Sequence, residues 1–394
     1  MINKVVYIGY QPLTEKVMED FYFRNLKEKG IIIEYWDLSE IYFKGIFNNN
    51  LNDEFIFKIN SFSTLEDLIK RQDILNTLFL STITFEYRVL TIYRILSKYK
   101  CKTSFFARGA LPFPTATSRI GNFIFKLQKA LELNLLFGFV KNKYAYFLKK
   151  KGIVKPYVLV FRAGEKGIQT IGVGSDIENE KSKIIDVNSF DYDKYIKTQS
   201  NISVIDNSYC VYLDEYFPYH PDFEMFGIKT IGPTLFYNKL NEFFELVEKK
   251  FGIEVVIAAH PKAEKYKKIN PFNGRKLFFG MSSELVKDSK FSIAHCSSSV
   301  SFSVLNSKPL LFVTSNEIKQ IMPTYDSIIE CFSKALDSCL INIDNLDEEF
   351  VINYDINEVK YDLYKYNYLT SKMSEGRLSS EIFIDTIFNY SFNK

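Results

Sequence analysis

The chain of 394 residues lacks the marks of several large function classes. Its five cysteines, Cys101, Cys210, Cys296, Cys331 and Cys339, are odd in number and never stand in a C-x-x-C spacing. That excludes a disulfide scaffold and a zinc ribbon, and points to reduced thiols in a cytosolic protein. Only three histidines occur, His220, His260 and His295, and there is no H-E-x-x-H pattern, so neither a structural nor a catalytic metal is expected. Patterns of the type G-x-x-x-x-G-K-[ST] and G-x-S-x-G are also missing, which argues against P-loop NTPases and α/β-hydrolases.

Charge of one sign is lacking as well. Lys and Arg number 50 against 47 Asp and Glu, a formal net charge of +3, too balanced for a protein that depends on attraction to a phosphate backbone. No nucleic-acid partner is expected. The longest apolar run, residues 133 to 140, is broken by Asn134 and falls far short of the roughly 20 residues of a spanning helix. The start, MINKVVYIGYQPLTEK, carries one Lys before a short apolar run and reads as the first strand of a fold, not as a signal peptide. No period of 20 to 50 residues repeats along the chain.

What is abundant is aromatic: 37 Phe and 26 Tyr bring aromatics to 16%. Together with plentiful Lys, Asn and Ile, this is the bias of AT-rich codons and carries no binding code. Hydrophobic residues at 46% and charged residues at 25% are those of a folded globular chain. The length suits two domains.

Strand, helix, Gly30 and strand follow one another over residues 4 to 36 (strand to Tyr10, helix Glu15 to Lys29, strand Ile31 to Trp36), the signature of a βαβ unit and a parallel sheet. Further strands are expected within 73 to 84, at 103 to 107, 156 to 161 and 184 to 187. A long helical region covers 118 to 151, a Gly-rich hairpin lies within 162 to 174, and a hinge falls near 196 to 206. A second alternation follows, with strands at 209 to 213, 254 to 259, 291 to 294 and 310 to 314 and helices at 235 to 251, 282 to 287 and from 299. The expected fold class is α/β, two Rossmann-like doubly wound domains at 1 to 200 and 201 to 357 facing a cleft, with helices of 358 to 394 returning to the first domain.

Ligands in open parallel sheets bind at the carboxyl ends of strands. All three histidines fall just past expected strands of the second half. The first cluster, Leu213-Asp214-Glu215-Tyr216, places adjacent carboxylates at a strand end, where desolvation and mutual repulsion can raise one of them to act as a base or nucleophile; a solvated loop is the plain alternative. In the second, Ala259-His260-Pro261-Lys262, Pro261 stops the strand and holds His260 at the sheet mouth, with Lys262 as a point charge for phosphate; a strand-capping His is the alternative. The third, His295-Cys296-Ser297-Ser298-Ser299, offers hydroxyls and backbone N–H groups where a helix starts, a phosphate site or an ordinary Ser cap. Weaker candidates for the acceptor side are Arg108, Gly109 and Glu165. Lysines 141, 143, 149, 150, 151 and 155, interleaved with aromatics, suit either a solvated helix face or peripheral contact with anionic headgroups of the inner membrane.

Two Rossmann-like halves, with an HP dipeptide after one strand of the second half and a Ser-rich motif after the next, resemble bacterial GT-B glycosyltransferases, most of all the sialyltransferase-like and Kdo-transferase-like groups that use CMP-activated sugars for capsule or lipopolysaccharide. The wider strings within residues 208 to 315, YLDEY, HPD, HPK and SSS, look like those of proteins from surface-polysaccharide clusters. The resemblance implies a metal-independent cytoplasmic glycosyltransferase without a cofactor, moving a sugar from a nucleotide donor, preferably CMP-linked, to a glycan or lipid-linked acceptor of capsule or lipopolysaccharide. It assigns His260 to the nucleotide, the three serines to its phosphate, and the cleft acid to Asp214 or Glu215; the first half has no D/E-D/E-G motif. The alternatives are a CDP-polyol phosphotransferase, a sugar-nucleotide epimerase and a non-catalytic polysaccharide-assembly protein.

Overall fold

The computed structural model describes residues 2–45, 51, 53–114, 133–225, 227–345 and 350–390. The chain divides into two compact units, the first formed by Met1–Ala110, Ala116–Phe190 and Thr370–Lys394, the second by Leu111–Thr115 and Asp191–Leu369. Among the described residues each unit carries one parallel sheet flanked by helices, an α/β architecture.

In the first unit the strands are β1 (Lys4–Gly9), β2 (Ile32–Asp37), β3 (Ile56–Lys58), β4 (Thr77–Ser81), β5 (Lys102–Ala107), β6 (Leu159–Ala163) and β7 (Lys183–Val187). Their order in the sheet is β3-β2-β1-β4-β5-β6-β7. Side chains alternate across a strand, and both faces are apolar. Val6 and Ile8 join one core cluster with Trp36, Phe79 and Val160, while Val5 and Tyr7 join another with Ile33, Leu80, Leu159 and Phe161. The helix Ser379–Asn389 completes the second cluster: Phe383 lies 4.9 Å from Phe161 and 5.1 Å from Phe106 between ring centroids.

Several expectations for this half need correction. The helix over 15 to 29 is two helices, Glu15–Asp20 and Phe23–Glu28, because Tyr22 between them takes a left-handed backbone (φ 62°) that buries its ring. The Gly-rich segment is no hairpin but a short 3₁₀ turn, Gly167–Ile171, leading into the helix Ser175–Lys181. Of the long helical region, Leu133–Lys150 is helix and 118 to 132 lie outside the described residues. Residues ahead of the expected hinge form the helix Phe190–Thr198, and the boundary between units falls at Phe190/Asp191 and not at 196 to 206. Thr198 Oγ1 shares a hydrogen bond of 2.6 Å with Ser283 Oγ of the second unit's own helix Ser282–Asp288, which ties that segment to it. The return to the first unit begins at Thr370 and not at 358: the helix Glu358–Tyr364 stays in the second unit, where Tyr361 Oη donates to the Lys308 carbonyl at 2.8 Å.

The second unit holds β8 (Tyr209–Leu213), β9 (Glu254–Ala259), β10 (Leu277–Phe279), β11 (Ser292–Ala294), β12 (Leu310–Thr314) and β13 (Cys339–Asn342), ordered β10-β9-β8-β11-β12-β13. The order reverses between β8 and β11. A doubly wound sheet opens a crevice at such a switch point, beyond the carboxyl ends of its strands. The 19-residue helix Pro233–Phe251, started by Pro233 and closed by Gly252 in a left-handed conformation, covers one face with Phe236, Leu240, Phe243, Phe244 and Val247. No described helix is long and apolar enough to cross a membrane.

Candidate functional site

The register of the second sheet brings Leu213 beside Ala258 on one side and Ala294 on the other. Residues 214–215, 259–260 and 295–297 therefore leave the sheet at one level, around the switch point. The sheet brings the three sequence clusters together.

The two carboxylates at the end of β8 reach in opposite directions. Asp214 is 3% exposed. Its Oδ1 accepts from Tyr216 N–H (3.1 Å) and Tyr266 Oη (3.2 Å), and its Oδ2 accepts from His260 N–H (3.3 Å). Burial pushes its pKa up to about 6, against which these donors work. Tyr266 Oη is in turn 2.7 Å from Tyr237 Oη, so a buried chain of hydroxyls backs the carboxylate. Glu215 reaches the other neighbour, accepting from Cys296 N–H at 2.5 Å and Cys296 Sγ at 3.1 Å. Burial of its carboxyl pushes it up to about 8, opposed by those bonds. Each acid thus pins one loop: Asp214 the turn after β9, Glu215 the turn after β11. Neither is free in the way an open general base would be.

His260 opens a β-turn in which Pro261 and Lys262 are central and Ala263 N–H returns to the His260 carbonyl at 2.9 Å. Lys262 N–H donates to His260 Nδ1 at 3.2 Å. An acceptor Nδ1 means that the proton sits on Nε2, and burial, with His220 and Lys262 nearby, holds the ring neutral by lowering its pKa to about 4. Lys262 Nζ is not a free charge, being 2.7 Å from Asp222 Oδ1.

His295 stands apart from the other two histidines. It has no exposed surface, its Nδ1 bonds the Val313 carbonyl at 2.7 Å, and it packs among Tyr212, Phe217 and Phe236. A ring sealed in an aromatic shell does not reach a ligand, so the structure gives His295 a packing role. The serines differ among themselves: Ser298 is exposed, while Ser297 and Ser299 are half-buried. The helix they precede, Val300–Leu305, is only six residues, and its first N–H groups, on Val300, Ser301 and Phe302, already donate to the carbonyls of Ser297, Ser298 and Ser299. Ser299 makes no side-chain cap. What remains for a ligand there is hydroxyls, not an open helix end.

In the first unit the acceptor-side candidates separate. Arg108 is buried, donating to Tyr22 Oη (2.6 Å) and the Asp20 carbonyl (2.8 Å), with its guanidinium 3.9 Å from the Phe190 ring centre and 4.3 Å from that of Phe106. It is a structural cation. Gly109 has φ 86°, a left-handed turn that favours glycine. Glu165 is exposed just past β6. Among the lysines read as a lipid-facing set, Lys149 is buried and paired with Glu178, so it belongs to the core.

Sequence reasoning noted His220 past a strand but gave it no role. It lies seven residues past β8, and its ring centre is 4.8 Å from that of His260. The available signal was the repeat of His-Pro in Tyr219-His220-Pro221-Asp222 and His260-Pro261-Lys262. Among the described residues no group of three or more His, Cys, Asp or Glu is arranged to hold a metal ion.

No family model matches the chain, and no curated protein matches it. Among solved structures it is similar to the wall teichoic acid polymerase TagF, with a TM-score of 0.51 and 12% identity to a histidine-to-asparagine variant, covering 98% of this chain and 88% of that one. The unsubstituted TagF gives 0.50 and 11% over the same shares. A UDP-GlcNAc 2-epimerase from Methanocaldococcus jannaschii gives 0.48 and 12%, covering 99% of this chain and 100% of that one. At such identity the likeness to TagF is one of fold, and that fold is the two-sheet GT-B arrangement.

Proposed function

We propose that this protein is a metal-independent glycosyltransferase that takes a sugar from a nucleotide donor, preferably CMP-linked, and passes it to a glycan or lipid-linked acceptor. The observation that carries this reading is the neutral His260, its backbone held by Asp214 at the switch point of the second sheet, with its Nε2–H unused among the described residues. A neutral N–H donor at a strand mouth stabilises the negative charge that grows on a departing phosphate, and it requires no metal. The hydroxyls of Ser297, Ser298 and Ser299 supply further donors from the next loop. Asp214 and Glu215 serve as positioning residues, since their oxygens are spent on the loops.

A second reading, transfer of a polyol phosphate from a CDP-polyol, is supported by the fold likeness to a wall teichoic acid polymerase. The two share a cytidine nucleotide and differ in whether phosphorus moves to the acceptor.

A thermal-shift panel with CMP, CDP, UDP and GDP on the wild type and on His260→Asn tests both. A ligand at about 100 times its Kd adds roughly 2.7 kcal/mol. Stabilisation by CMP that the variant loses is the expected result and fits both readings, since CMP leaves in each; phosphorus found on the acceptor product favours the second reading, and silence with every nucleotide overturns the site.

A further inference from the structure

The two His-Pro segments of the second unit are built alike. In each, proline follows histidine and the histidine carbonyl accepts from the N–H three residues on, Phe223 N–H to His220 at 3.0 Å and Ala263 N–H to His260 at 2.9 Å, the first as the opening of the short helix Pro221–Met225 and the second as a β-turn. In each, the N–H two residues on donates to the ring, Asp222 to His220 Nδ1 and Lys262 to His260 Nδ1, both at 3.2 Å. The two turns are joined by the Lys262–Asp222 ion pair at 2.7 Å and by the rings themselves, whose centres lie 4.8 Å apart.

Such a bond fixes the tautomer. With Nδ1 accepting, each neutral imidazole carries its proton on Nε2, and neither Nε2 has a hydrogen-bond partner among the described residues. Burial lowers the pKa of both rings, which also keeps two cations from facing each other at this distance. The side chain of His220 is 15% exposed, so its free edge is open to a ligand. Two fixed N–H donors without acceptor capacity, on rings this close, suit an oxyanion.

We infer that His220 and His260 together bind the phosphate group of the donor, His220 being a second binding residue on equal terms with His260. This rests on the proposed nucleotide site but needs only an oxyanion.

The experiment is calorimetric titration of the wild type, His220→Asn and His260→Asn with inorganic pyrophosphate, with CMP, UMP and GMP, and with cytidine. Asparagine keeps an acceptor near the place of Nδ1, and so the turn, but removes the Nε2–H donor. Loss of one such bond to an anion is expected to weaken CMP and pyrophosphate about tenfold in either variant, with cytidine unchanged. His220→Gln, which restores a donor near Nε2, recovers part of the affinity. If His220→Asn binds CMP like the wild type while His260→Asn does not, the pairing of the two histidines is overturned and the nucleotide site stands. Pyrophosphate binding that His220→Asn weakens, with no nucleotide bound, keeps the pairing and overturns the nucleotide reading. No binding of any probe to the wild type overturns both. Nitrogen NMR of the wild type is independent of how the variants fold: pyrophosphate must shift the Nε2 resonances of both rings, and an unmoved His220 resonance overturns the inference.

Discussion

The two units carry the same kind of sheet and treat their switch points in opposite ways. In the first, where β1 meets β4, the space above Gly9 is filled by Tyr35: a Cβ added at Gly9 would lie 2.2 Å from Tyr35 Oη and 3.2 Å from Thr82 Oγ1. Tyr35 Oη itself donates to the Gln11 carbonyl at 2.7 Å. In the second, where β8 meets β11, the space is bordered by two carboxylates turned toward loops and by imidazoles with a free edge. Buried charge follows the same division. The first unit locks its buried cations into structure, Lys149 with Glu178 and Arg108 inside aromatic rings, while at the sheet mouth of the second burial raises the carboxyls of Asp214 and Glu215 and lowers the imidazole of His260, favouring the uncharged form of each. A GT-B sheet thus provides a place for a ligand without deciding that one binds; side chains at the strand ends decide.

This contrast can be broken or sharpened by four changes. The largest effect is expected in the first unit from Lys149→Met, which leaves Glu178 buried without its cation and costs about 3–5 kcal/mol of stability. Urea unfolding measures it, and the nucleotide response of the second unit should be untouched; a loss below about 1 kcal/mol would show the pair to be dispensable. Gly9→Ala forces a methyl group against Tyr35 and should cost about 1–3 kcal/mol by the same assay. An unchanged midpoint would mean that the first switch point is open after all.

The third change concerns pH. The Glu215 carboxyl is held up at about 8 against an ordinary value of 4.5, so the folded chain binds a proton that the unfolded chain has released, and stability falls as pH rises through that range. His260 and His295, lowered from 6.5 to about 4, act in the opposite sense, adding stability as pH rises to about 6.5 and nothing beyond. Between pH 6.5 and 8 the Glu215 effect should stand alone, a fall of about 1–2 kcal/mol. Thermal unfolding of Glu215→Gln across this range should be flat by comparison; an equal fall in the variant would assign the effect elsewhere. The smallest effect is expected from Glu165→Gln, an exposed side chain past β6, within about 0.5 kcal/mol of the wild type. A larger shift in melting temperature than that would reveal a partner for Glu165.

Much of the fold was legible because burial and strand geometry write themselves into sequence. Tyr209–Leu213, Glu254–Ala259 and Leu310–Thr314 are short runs with both faces buried, and their limits agree with the apolar pattern residue for residue. Three of the four described edge strands were not legible: Ile56–Lys58, Leu277–Phe279 and Cys339–Asn342 are short and partly exposed, so no run of buried residues marks them, while the fourth, Lys183–Val187, shows in its β-branched run. The break at Tyr22 was hidden too, because helical spacing continues through it while a contact with Arg108 sets the backbone.

By itself the amino-acid order determined that strands alternate with helices in two halves, and that His260 and the serines follow strands, since these depend on neighbours within a few residues. Tertiary structure alone decided what each polar group does. Sheet order set β8 between β9 and β11, and that adjacency turned Asp214 toward one loop and Glu215 toward the other. The same packing sealed His295 among aromatic rings and brought His220 to His260 across 40 residues of sequence. A side chain's chemistry is set by its desolvation and its partners, and both come from residues distant in the chain.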